Sequence, residues 1–266
     1  MKFIDWFKYD STIPCKGGGQ VEVWKFDYEY DKEAFDEWAN HFRNQYCKDK
    51  DIDHLKRPTG KNREDYLLGF KFPDKFKRPG VMTRSGDFAE ILVDDFLEYI
   101  EKYWTPRTRY DRRVNKDIST PGSDVIAIKI RNDSHGNPQD ELLVFEVKGR
   151  IASKTNDLNK AICGSCEDPL RIAESLNAMS TRFHCEGDLV SEDKIVRIQQ
   201  MINIQRKSCS YGAALVCSTE LYNSGLISNA DVSVHPQGIN LRLLMIKAKD
   251  LKTIVHSLYS WAAHEA

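Results

Sequence analysis

Glu146 and Lys148 stand two residues apart inside the apolar run ELLVFEVK, residues 141–148. Period-two geometry puts both side chains on the strand face that carries Leu142 and Val144, with Leu143, Phe145 and Val147 on the other. A strand apolar on both faces is central and buried. A carboxylate and an ammonium group there each carry a desolvation cost of several kcal/mol and need compensation.

A second apolar run, DVIAIKI, covers residues 124–130, and the turn-forming segment RNDSHGNPQD joins the two into a hairpin. Antiparallel partners keep a constant index sum, so a reversal centred near His135 and Gly136 places Asp124 opposite Glu146 or Val147. Close like charges are tolerated only by protonation, a basic partner or a metal ion, and a hard cation with oxygen ligands is the natural fit. Glu90 lies at helical spacing with Val93, Leu97, Ile100 and Trp104, so it heads an apolar stripe rather than a solvated face. The competing reading is a structural ion pair between Glu146 and Lys148, with Asp124 merely capping a strand.

Glu-x-Lys spacing carries little information alone, because Glu192 and Lys194 share it. They sit with Ser191 and Asp193 at a polar helix start, where water and the helix dipole account for them. Cys163 and Cys166 have zinc-ligand spacing, with His184 and Cys185 downstream, but a second Cys or His pair is missing. His135 and His235 read as polar loop residues. Arg150 shares the Lys148 face if the strand continues through Gly149, and Arg171 starts the following helix. Each could meet a phosphate or solvent.

The elements that must position these residues follow from periodicity. Residues 20–30, QVEVWKFDYEY, read as a strand, and Asp31 to Tyr46 as a helix with Phe35, Trp38, Phe42 and Tyr46 on one face. Residues 49–80 are polar, basic and broken by Pro and Gly, which predicts a linker or long functional loop and a domain boundary near residue 80. Residues 1–80 are then an N-terminal α+β extension and 81–266 the main domain. Gly86 to Trp104 carries two apolar stripes and predicts a largely buried helix. Helical spacing recurs at 170–183, 194–206 and 250–264, and YGAALVCS and NLRLLMIK read as further strands. Strands and helices do not alternate strictly, so the fold class is α/β with a mixed sheet flanked by helices.

A net charge of −1 gives no global basic field, so nucleic-acid binding needs local patches. Lys71, Lys75, Lys77 and Arg78 form one, and Arg107, Arg109, Arg112 and Arg113 another; each is either a phosphate-binding surface or a solvated loop. Seven cysteines at irregular spacing cannot all pair, and no stretch approaches the 18 or so apolar residues of a membrane span. Both features fit a cytoplasmic protein with reduced thiols.

Glu in a first helix, Asp opening a strand and Glu-x-Lys on the next strand resemble the PD-(D/E)XK, or restriction-endonuclease-like, family. Gly86-Asp-Phe-Ala-Glu90, Gly122-Ser-Asp124 and Phe145-Glu-Val-Lys148-Gly-Arg150 carry the match. It covers residues 86 to about 218. More narrowly, the chain is similar to the HamA effector nucleases of Hachiman anti-phage defence systems. Pro121 departs from the pattern by not adjoining Asp124, but proline contributes no ligand.

The resemblance implies a PD-(D/E)XK core that hydrolyses DNA phosphodiester bonds with Glu90, Asp124, Glu146 and Lys148. Asp124, Glu146, the Val147 carbonyl and Glu90, directly or through water, would hold Mg²⁺, with Mn²⁺ as a substitute, and Lys148 would face the attacking water. It also implies control by a helicase subunit, HamB, for which residues 1–80 are the candidate partner-binding region. The alternative is a non-catalytic subunit of the same fold that binds DNA or the helicase.

Overall fold

Local sequence signals set most of the elements. The computed structural model describes residues 1–131, 139–150, 158–205 and 209–266. An N-terminal hairpin of β1 (Phe7–Pro14) and β2 (Gln20–Phe26) is followed by helices α1 (Lys32–Tyr46), α2 (Asp49–Lys56), α3 (Arg63–Tyr66) and α4 (Gly80–Asp95). Asp31 caps α1 by accepting a hydrogen bond from the Ala34 amide at 3.0 Å, and the expected apolar face of α1 is buried. A wider turn over Phe96–Ile100 ends α4.

Strands β3 (Val125–Lys129) and β4 (Glu141–Arg150) come next, then α5 (Leu158–Ser165), α6 (Asp168–Glu186) and α7 (Leu189–Gln205). Strand β5 (Cys209–Ser218), the short α8 (Ser224–Ser228), β6 (Arg242–Ala248) and α9 (Leu251–His264) complete the described chain. Most of the expected turn between β3 and β4, including His135 and Gly136, lies outside the described residues.

The strands form one mixed sheet in the order β1-β2-β6-β5-β4-β3. The inner four run parallel, and β1 and β3 are antiparallel edges. Alternation then sorts the core. Leu143, Phe145, Val147, Ala214, Val216, Leu244 and Ile246 face α1, α4 and α9, while Leu142 and Val144 face α6 and α7. Ala213, Leu215, Leu243 and Met245 pack towards α5. Among the described residues no helix is long and apolar enough to cross a membrane.

Two features of the first 80 residues differ from the sequence reading. One sheet and one apolar core run across the boundary expected near residue 80: β2 pairs with β6, and Phe3, Trp6, Phe26 and Trp38 share a core with Phe88, Phe145 and Leu258. The segment 49–80 is a string of short helices rather than a linker, pinned by the buried Ile52, Leu67 and Phe72.

Helix α4 buries four acids, Asp87, Glu90, Asp94 and Asp95, beside its apolar residues. The loop after it supplies the counter-charges. Arg107 pairs with Asp95 at 2.8 Å and Glu98 at 2.7 Å, and Arg113 with Asp87 at 2.7 Å; His41 from α1 meets Asp95 at 2.7 Å. Burial pushes the Asp94 carboxyl up to about 7, against the pull of Arg107. This folded-state value lies above the ordinary 3.8, so stability is full below 3.8 and falls as pH rises towards about 7. Asp94→Asn should melt like the native chain at acid pH and several degrees higher above neutrality, as a paired pH series of thermal melts would show. A variant that melts lower at every pH would count against this reading.

Candidate active site

The site sits where the end of β4 meets α4 and α5. The β3–β4 register pairs Val125 with Phe145, so Asp124, one residue before β3, comes opposite Glu146 as the index sum requires. The Val147 amide donates a hydrogen bond to Asp124 Oδ2 at 2.9 Å, which fixes the carboxylate against β4. Burial, and then the neighbouring charges of Glu90 and Glu146, hold the Asp124 carboxyl well above the usual aspartate range. The three acids expected from sequence thus share one poorly solvated locus.

Glu146 is 5% exposed, and its Oε1 accepts a hydrogen bond from Lys148 Nζ. Its Oε2 lies 3.5 Å from Arg171 but accepts no hydrogen bond, although it is buried. Burial opposes the Lys148 charge, yet Glu146 beside it, together with Asp124 and Glu90, outweighs that effect and keeps the ammonium above its ordinary 10.5. Helix α5 touches the acid directly. A Cβ at Gly164 would lie 2.7 Å from Glu146 Oε1, so only glycine fits here without moving the carboxylate. Gly164→Ala favours the helix by up to about 1 kcal/mol in propensity. It should therefore depress activity while costing little stability, which paired rate and melting measurements would separate. Full activity in that variant would contradict a working role for the Glu146 position.

Gly149 plays the same part on the opposite face. The strand runs through it to Arg150, and an added Cβ would stand 2.5 Å from the Ser85 carbonyl oxygen of α4. That close approach brings Glu90 to the end of β4. Glu90 accepts a hydrogen bond from the Tyr110 hydroxyl at 2.9 Å and pairs with Arg109 at 3.2 Å.

Arg109 was not singled out by sequence beyond its membership of a basic patch. It is largely buried, lies 3.4 Å from Asp124 Oδ1, and donates to the Ser123 and Thr120 carbonyls. It thus bridges two of the three acids. The patch of four arginines does not face solvent as a unit: Arg107, Arg109 and Arg113 point inward to acids, and Arg112 pairs with Glu186 at 2.8 Å. Asp168 was also missed. It is fully buried at the start of α6, and burial followed by the Glu146 charge pushes its carboxyl up to about 6. Asp168 precedes Pro169 and reads in sequence as an ordinary helix start.

The remaining sequence candidates lie apart. Glu192 sits in the first turn of α7, 3.1 Å from His184, and Lys194 lies over the Trp104 ring. Cys163 is exposed on α5, Cys166 follows it, and neither belongs to a metal-holding group among the described residues. His235 is buried rather than solvated, with its imidazole pKa lowered by burial and its Nδ1 accepting from the Gln237 amide.

The donor set can be tested against a divalent cation. It is all oxygen, one buried carboxylate oxygen of Glu146 lacks a hydrogen bond, and Asp124 is destabilised as an anion. Among the described residues no three Asp, Glu, His or Cys side chains come together as a group that could hold a metal ion. Mg²⁺ needs no such group, since it is held by one or two carboxylates and keeps several waters. Asp124 and Glu146 are the residues that could serve as such a carboxylate pair.

A family model described as HamA matches residues 1–262. The chain belongs to the HamA family. That membership places it among the proteins of Hachiman anti-phage defence. The match starts at residue 1, so the β1–β2 hairpin and α1 are part of what this HamA-family chain shares with its relatives. No curated protein matches the chain.

Proposed function

We propose that this HamA-family chain is a metal-dependent nuclease of the PD-(D/E)XK type that hydrolyses DNA phosphodiester bonds as the effector of a Hachiman system. The observation that supports this reading best is the convergence of buried Glu90 and Glu146 and half-buried Asp124 beside Lys148, with Glu146 Oε2 buried and lacking a hydrogen bond. Asp124, Glu146 and the Val147 carbonyl would hold Mg²⁺, or Mn²⁺ in its place, with Glu90, whose Oε2 is taken by Tyr110 and Arg109, as a further ligand directly or through water. When bound, the ion lowers the pKa of a water molecule and offsets the charge of the scissile phosphate.

The side chains do the rest. Lys148, held protonated, orients the attacking water and stabilises charge that grows on the phosphate in the transition state. Arg109, largely buried and donating from its two terminal nitrogens to the Ser123 and Thr120 carbonyls, keeps Glu90 and Asp124 together. Arg171, half-buried and 3.5 Å from Glu146, offsets part of that acid's charge.

The same ion pairs favour a second reading. Arg109, Lys148 and Arg171 place three cations against the three acids, which also suits a non-catalytic subunit that binds DNA or a helicase. Incubating the purified chain, alone and with the cognate helicase HamB, with supercoiled, linear and single-stranded DNA and with RNA separates the two. Cleavage that requires Mg²⁺ or Mn²⁺ supports the nuclease; intact substrates in every lane leave only the binding module.

The helicase is proposed to contact the N-terminal region. Trp6, Phe7 and Trp38 are buried in the core and Trp24 is packed against Phe96, so these aromatics are not the contact surface. Exposed Tyr9, Tyr30 and Phe70 remain available there. Co-elution of the two proteins on gel filtration, lost when these three are replaced by serine, is the expected result.

A further inference from the structure

A groove of about 730 Å³ opens beside Lys148 at the carboxyl end of β4. Seven of its lining residues are Lys or Arg and none is acidic: Lys75, Arg78, Arg84, Lys148, Arg150, Lys160 and Lys252. Arg84 is buried and engaged, donating to the Pro73 carbonyl and lying 3.7 Å from the centre of the Tyr259 ring. Lys75, Arg78 and Lys252 are exposed and make no salt bridge among the described residues. In a chain of net charge −1, whose loop arginines are consumed internally, Lys75, Arg78 and Lys252 leave this end of the groove positively charged.

The groove is not simply basic. Val81, Met82 and Val255 supply apolar surface between the cations, and Val81 and Met82 are exposed. Phe76, also exposed, stands beside it with Lys75 over its ring at 4.9 Å. A ligand matched to this surface presents several anions together with apolar faces. A duplex presents the anions but keeps its base faces stacked inside, whereas an unpaired strand offers both.

We infer that this groove binds single-stranded nucleic acid, phosphates against Lys75, Arg78 and Lys252 and bases against Met82 and Val81, and leads an unpaired strand to Lys148. The inference deepens the nuclease reading and rests on it only for the cleavage that follows binding. An unpaired strand passes between α4, α5 and α9 with its backbone at the end of β4, so the groove selects for strand state without reading sequence.

Fluorescence anisotropy in EDTA tests the binding, because without divalent metal no cleavage confuses it. The probes are a labelled DNA strand, an RNA strand of the same sequence and the blunt DNA duplex. The single strands should bind about tenfold or more tighter than the duplex at moderate salt. Arg78→Ala and Lys252→Ala should each weaken single-strand binding and reduce its salt slope by about 0.7. Met82→Ala should weaken binding several-fold with the slope unchanged, and Lys50→Ala, an exposed lysine on α2, should change neither. Equal binding of duplex and single strand, or an Arg78→Ala/Lys252→Ala double variant that binds like Lys50→Ala, would overturn the inference. Tight single-strand binding by a chain that never cleaves would keep the groove and remove the nuclease.

Discussion

Replacing Lys148 by alanine is expected to lower cleavage by about a hundredfold or more, the usual cost of deleting a donor aimed at transition-state charge. The loss should fall on kcat, because Lys148 is placed at the reacting phosphate, whereas the groove variants should act on KM. Glu146→Ala should be at least as damaging, since it removes a proposed metal ligand. Glu192→Ala is the control. It has the same Glu-x-Lys spacing but pairs with His184 on the surface of α7, and should cleave normally. Melting curves distinguish lost chemistry from lost structure. Lys148 is 36% exposed on its side chain and Arg171 still faces Glu146, so the alanine variant should fold. An active Lys148→Ala protein beside an inactive Glu192→Ala protein would sink the site assignment.

The hairpin and its register were legible because they rest on local periodicity. Alternation in DVIAIKI and ELLVFEVK and a constant index sum were enough to set Asp124 opposite Glu146. The burial of Glu90 was likewise visible from the apolar stripe it heads. What was hidden depends on distant contacts. Arg109 reads as one of four loop arginines until the chain beyond α4 folds back on Glu90 and Asp124, and no spacing within the loop signals that return.

The sheet shows the same division. Strand β1 carries no strand signal in sequence because an antiparallel edge keeps one face wet: in FKYDSTIP most residues are exposed or half-exposed, so apolar alternation is absent. The parallel pairing of β2 with β6 joins Val21 to Leu243 across most of the chain, and parallel neighbours carry no turn signal. A polar, Pro-broken stretch therefore looked like a boundary at residue 80 although the core passes through it. The short helices of 49–80 were missed for a related reason: each contributes only one or two buried apolar residues, too few for a helical period to emerge.

Asp124→Asn should raise the melting temperature of the metal-free protein and shrink the stabilisation gained from added Mg²⁺. The first sign follows from the carboxyl's position well above its ordinary 3.8, caused by burial and then by Glu90 and Glu146. A raised aspartate costs stability once pH exceeds the ordinary value, so the gain should be absent below 3.8 and grow as pH rises. The amide keeps what the carboxylate does structurally, because its oxygen can still accept from the Val147 amide at the same place. Arg109 is not stranded either, with Glu90 and the Ser123 and Thr120 carbonyls still around it. The second sign follows from mass action: a ligand that binds only the folded state stabilises it in proportion to affinity, and losing a charged oxygen donor lowers that affinity. A purely structural ion-pair network predicts the opposite first term, since deleting one carboxylate would leave Arg109 and Lys148 less compensated and cost roughly 3 kcal/mol or more. Melts of native and Asp124→Asn protein, each in EDTA and in Mg²⁺, decide between them: a lower metal-free melting temperature with an unchanged metal shift would remove the metal site, and the nuclease with it.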